Sequence, residues 1–288
     1  MSSDFEAGVT DREAVRQSAR HNDQDRYLAA LLAPRDVRDD LLALAAFAGE
    51  IARVPYAVKE PMMGEVRLQW WRDALPLLAA GTTTGNPVAD ALGGAIRRHA
   101  LPERLLADLL EARAFDLYAD PMPDMTAFRG YLAKTDGALI EMALRIVGGW
   151  PPGTAAGVAM AAGRAVGVTR VLSDLPFMLS RGRCALPADR LSSAGIEAAD
   201  LAADPIGTPA LSAIAGFVAD ARADLAAVRA GWRRIPRRER SALLPVALIE
   251  PQLRVFEKPS HHPGRDLAAV VPLSRIWALW SAHVLGRI

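Results

Sequence analysis

Apolar residues recur at helical spacing along almost the whole chain, and proline is what interrupts them. This pattern constrains the fold most, because proline lacks the backbone donor and pushes the preceding residue away from helical geometry. Between interruptions the apolar positions follow a 3.6-residue period, as Leu41, Leu44, Phe47, Ala48 and Ile51 do. Alanine supplies 55 of the 288 residues, aromatics only 6%, and β-branched runs are scarce. These preferences favour helix over strand, so the chain reads as all-α.

The predicted helices cover 11–19, 23–32, 35–54, 62–77, 87–99, 102–117, 125–147, 153–179, 209–230, 236–256 and 272–285. Pro34 ends the second and Pro55 stops the third. Pro61 opens the fourth. Asp124 can cap the seventh, which Gly148, Pro151 and Pro152 end. The helix over 153–179 is rich in Gly and Ala, so neighbours can approach it closely. Residues 191–208 read as a surface excursion. The organisation expected is an N-terminal arm and short helix (1–21), a helical domain (22–258), and a linker with a C-terminal amphipathic helix (259–288).

Charge is nearly balanced, at +1 overall, which gives no general attraction to nucleic acid. One cysteine, Cys184, excludes an internal disulfide framework and a cysteine-rich zinc site. The acidic opening segment resembles neither a secretory signal nor a transit peptide. No run of 18 uncharged apolar residues suggests a membrane span. The expected location is cytoplasmic, or peripheral on the inner face of the membrane.

Two blocks carry the informative chemistry. In GEVRLQWWRDAL, Glu65, Gln69 and Arg72 share one helix side, while Arg67, Trp70 and Trp71 cover neighbouring ones. The tandem tryptophans suit either the mouth of an apolar cavity or ordinary helix packing. In TRVLSDLPFMLSRGRCALPADRL, Arg170 and Asp174 are four apart, and Arg181 and Arg183 follow near a helix end. That set suits either a salt-bridged helix end or a phosphate contact. No HExxH, glycine-rich phosphate loop or GxSxG occurs, and none of the five histidines has metal-ligand spacing.

Taken in order, DRYLAALLAP, ALAAFAGEIARV, MGEVRLQWWRDAL, NPVADAL, the Asp116 segment, FRGYLAKTDG and GRCALPADRL resemble the squalene and phytoene synthase family. The resemblance spans about 25–256. It implies a single-domain, isoprenoid-synthase-type helical fold around a central apolar cavity. Active members join two prenyl diphosphates with Mg2+ held by two aspartate-rich motifs on facing helices. The first motif falls on Ala52, Arg53, Tyr56 and Ala57, and Glu50 lies off it. The second keeps Asp174 but has Phe177 and Met178 at its later acidic positions, with Arg170 where the family usually has asparagine.

The resemblance thus points to a divergent branch, which includes mitochondrial proteins of respiratory complex I assembly. The implied function is isoprenoid or lipid binding, or respiratory-complex assembly. The alternative is an active prenyl transferase using Mg2+. The candidate catalytic set is Asp174, Arg53 and Arg170, with Arg53 expected near Asp174. Candidate ligand-binding residues are Tyr27, Glu50, Glu65, Arg67, Gln69, Trp70, Tyr131, Arg181 and Arg183. Partners implied are an isoprenoid or lipid, a membrane surface, or a respiratory-complex subunit, and no nucleic acid. Trp277 and Trp280, with Arg275, His283 and Arg287, suggest membrane contact by the last helix.

Overall fold

The computed structural model describes residues 2–148 and 154–288. Among them there is no β-sheet, and the chain is all-α. Pro151 and Pro152 lie outside the described residues. The helices gather into two compact units: 1–117 with 138–151 and 236–245, and 118–137 with 152–235 and 246–288.

The first unit contains α1 (Ser2–Asn22), α2 (Gln24–Leu32), α3 (Arg38–Ala57), α4 (Pro61–Ala79), α5 (Pro87–His99), α6 (Glu103–Ala114) and α8 (Ala138–Val147). Asp23 caps α2 by accepting the Arg26 N–H, and Asn86 caps α5 by accepting from Val88 and Ala89. Helix α3 runs through Pro55 to Ala57, against the expectation that proline stops it. Proline in the last turn removes only one intrahelical donor, and the buried Val54 and Pro55 keep that turn packed. Phe47 and Ile51 are fully buried on α3, and Trp71 of α4 meets Phe47 edge-on at 4.8 Å. Gly49 lets α1 approach α3: a Cβ there would lie 2.6 Å from the Asn22 Cβ. The expected helix over 236–256 is instead a tight 3-10 segment, Glu239–Leu248, followed by α12 (Ile249–Phe256) of the second unit. Pro245 lies inside that segment and cannot donate to it.

The second unit contains α7 (Met125–Leu132), a widened π-type turn at Ala133–Gly137, α9 (Thr154–Ser180), α10 (Ala188–Ser193), α11 (Thr208–Gly231), α12 and α13 (Pro272–Leu285). Helices α9 and α11 pack along alanine-rich faces, and Phe128 of α7 meets Phe217 of α11 edge-on at 6.0 Å. Helix α10 runs into the segment 191–208, expected to be a surface excursion, and the 3-10 turn Ala198–Ala202 lies inside it. They bury Leu191 and Leu201, single apolar anchors too far apart to show a period.

Candidate functional site

Each unit holds a polar cluster built around one arginine. In the second unit the cluster forms where the π-type turn meets α9. The small face of α9 permits this: a Cβ on Gly163 would sit 2.7 Å from the Gly137 Cα, and one on Gly167 would sit 3.2 Å from Asp136 Oδ2. The turn therefore presses its carboxylate into the helix, and Asp136 is fully buried. Arg170 of α9 satisfies it, donating from Nε to Asp136 Oδ2 at 2.8 Å. The same guanidinium donates to Asp174 Oδ2 at 3.3 Å and to Tyr131 Oη at 3.2 Å. It also lies over the Tyr131 ring, 5.6 Å from the centroid. Thr135 closes the turn by donating to the Tyr131 carbonyl at 2.7 Å.

Sequence reasoning missed Asp136. The available signal was an acid inside an otherwise apolar helical period, within FRGYLAKTDG. Arg181 and Arg183 stand beyond the end of α9. Arg181 covers the Phe177 ring at 4.9 Å, and Arg183 is buried. The Cys184 thiol is pushed up by burial, opposed by a hydrogen bond from the Leu186 backbone. This suits a structural thiol rather than a nucleophile.

The first unit carries a pocket of about 440 Å³ lined by residues that include Glu50, Arg53, Val54, Arg67, Trp70 and Trp71. Arg53 donates to Asn22 Oδ1 at 2.7 Å, Asn22 donates to Ser18 Oγ at 3.1 Å, and Ser18 donates to Glu50 Oε1 at 3.0 Å. Burial raises the Glu50 carboxyl above its ordinary value, and the Ser18 hydrogen bond opposes that shift. Trp70 is exposed and stands edge-on to buried Trp71 at 5.1 Å. Arg72 bridges Glu65 and Gln69 at 3.3 Å each, so those two belong to a ladder along α4 rather than to the pocket lining. Tyr27 is half-buried on α2 and does not line that pocket.

The structure thus gathers Glu50, Arg53, Arg67 and Trp70 in one unit, and Tyr131, Arg170 and Asp174 in the other. Arg53 takes Asn22 as its partner, and Asp174 takes Arg170.

The squalene/phytoene synthase family model matches residues 19–277. The chain belongs to this family. A ligand-bound dehydrosqualene synthase structure superposes with a TM-score of 0.81 at 17% identity, covering 96% of each chain. That likeness shows that this family member has the isoprenoid-synthase-type helical fold. The chain is also similar to bovine (Bos taurus) NADH dehydrogenase (ubiquinone) complex I, assembly factor 6. It is 27% identical over 278 residues, 95% of this chain and 83% of that protein. A bifunctional CrtB/UppS protein of Streptomyces coelicolor is 32% identical over 193 residues, covering 66% of this chain and 33% of that protein.

Active members of the family hold Mg2+, and the residues of this member do not fit it. Among the described residues no three of His, Cys, Asp and Glu form a ligand set. Asp136 and Asp174 share the Arg170 guanidinium, each through Oδ2, so an internal cation already sits between the two carboxylates.

Proposed function

We propose that this chain is a divergent squalene/phytoene synthase-family protein that binds an isoprenoid or lipid in support of respiratory-complex assembly, without joining prenyl diphosphates. The observation that carries this reading is the Arg170 clamp on Asp136 and Asp174. A departing diphosphate must be neutralised by cations, and carboxylates committed to an internal arginine recruit none. Similarity to the bovine assembly factor over most of both chains supports the assembly role. In the first unit's pocket, Arg53 and Arg67 offer charge to an anionic head, and Val54 and Trp70 offer an apolar wall. The protein works peripherally on the inner face of the membrane.

The test has two arms. Purified protein is incubated with prenyl diphosphates and Mg2+, and diphosphate release and products are measured; none is expected. The gene is then deleted, and NADH:quinone oxidoreductase activity of the membranes is assayed; a loss restored by the Arg170-containing wild type is expected. Mg2+-dependent release of diphosphate with a joined product would establish the alternative, an active prenyl transferase.

A further inference from the structure

Helix α13 buries only Leu279 and Ala282. The rest of its apolar surface faces outward: Leu273 is 78% exposed and Trp277 64%, with Ile276, Trp280, Val284 and Leu285 beside them. Trp277 and Trp280 stack at 5.3 Å with their planes 28° apart, forming one continuous aromatic surface. This face borders a groove of about 1010 Å³ between α12 and α13, floored by Val255, Val270 and Ala278 and edged by Arg254, Lys258 and Arg287. An apolar patch of this extent on one element marks an interaction surface.

We infer that the α12–α13 face docks on an anionic phospholipid bilayer, with α13 lying in the interface and the groove receiving lipid. This deepens the membrane location given above and rests on it. The sign of the surface names the partner. Residues 267–288 contain Arg275 and Arg287 but no Asp or Glu. The groove's one carboxylate, Glu250, is held by Arg222, Arg229 and Arg254 at 3.2, 3.1 and 2.9 Å. Burial works against its ionisation, yet these arginines keep it below its ordinary range, so it stays matched to them. What faces outward is apolar surface with a cationic edge, the pattern of an interfacial helix. A second copy would set like charges against each other. Tryptophan pairs favour the headgroup level, where the rings are shielded and the N–H groups stay wet. Fourteen residues reach about 21 Å, short of the roughly 30 Å hydrocarbon layer, so α13 lies on the bilayer rather than across it. No helix among the described residues is long and apolar enough to cross.

The experiment is flotation of the full chain on phosphatidylcholine vesicles, with and without about one third phosphatidylglycerol. Wild type should float with the anionic vesicles, less at high salt, and weakly with phosphatidylcholine alone. Trp277→Ser with Trp280→Ser should lower the partition coefficient about tenfold or more, because interfacial binding scales with buried apolar area. Lys258→Glu with Arg287→Glu should weaken binding to anionic vesicles only. Circular dichroism checks that each variant folds, and the wild-type comparison of the two vesicles needs no variant. Absence of flotation on anionic vesicles, or equal flotation of the tryptophan variant, overturns the inference. So does a dimer by sedimentation that the tryptophan variant abolishes. Prenyl diphosphate turnover does not enter this readout, so failure here is distinct from failure of the functional reading.

Discussion

Arg170 and Arg53 are the arginines at the centre of the two polar clusters, and they meet opposite environments. Arg170 is wedged between a fully buried aspartate, a half-buried one and a tyrosine ring. Arg53 is exposed, and its bond is to a neutral amide, Asn22. Away from water a carboxylate must find a charge or donor within the protein, so Arg170 is committed to the fold. At a pocket edge water can solvate the guanidinium, so Arg53 keeps donors for an incoming anion. The same residue type is thus structural in one unit and available in the other, and the difference lies in what surrounds it.

The comparison breaks most readily at Asp136. Replacing it with Ala strands the Arg170 charge, with Asp174 as its other carboxylate, and should cost about 3–5 kcal/mol of stability in urea unfolding. Changing Asp136→Leu and Arg170→Met together removes both charges and should recover a large part of that loss. Arg53→Ala, by contrast, should change stability by less than about 1 kcal/mol. If Asp136→Ala costs no more than Arg53→Ala, the two arginines are not different in kind.

The approach that buries Asp136 can be tested without touching a charge. Gly163→Ala places a methyl 2.7 Å from the Gly137 Cα, a backbone atom that cannot swing aside. The turn or the helix must shift, and a cost of about 1–3 kcal/mol is expected from overpacking. Gly157→Ala on the same helix meets nothing within 4 Å and is the control. It should be neutral or slightly stabilising, because alanine is the better helix former. Equal effects at the two glycines would mean that the close approach does not position the aspartate.

Helix α13 was legible to the residue, because Pro272 opens it and an apolar period runs to Leu285. The pairing of Arg170 with Asp174 was also legible, since spacing of four on one helix brings side chains together. Asp136 was not, because its burial depends on glycines about thirty residues away that give the turn access. Asn22 escaped for a similar reason: it reaches Arg53 only because Gly49 lets two helices nearly touch. The tight turns at Glu239–Leu248 read as α-helix because an apolar period does not reveal hydrogen-bond register. Local periods show which face is apolar, while contacts made through absent side chains appear only when the partners are in place.

The smallest expected effect sharpens the comparison from the Arg53 side. Glu50 ends the relay Arg53–Asn22–Ser18–Glu50, and its immediate partner is a hydroxyl rather than a cation. Burial raises its affinity for a proton, with the Ser18 bond opposing. The folded carboxyl therefore holds its proton to higher pH than the unfolded one. Its contribution to stability is fully present below the unfolded pKa and is lost as pH rises through the folded value. Glu50→Gln keeps an acceptor for the Ser18 hydroxyl but cannot ionise. The variant should therefore gain stability relative to wild type between acid and neutral pH, by less than about 1 kcal/mol in paired urea titrations. The opposite slope, with wild type gaining as pH rises, would mean that a cation stabilises the ionised Glu50. The first unit would then be closed by its own charges in the way the Arg170 cluster is.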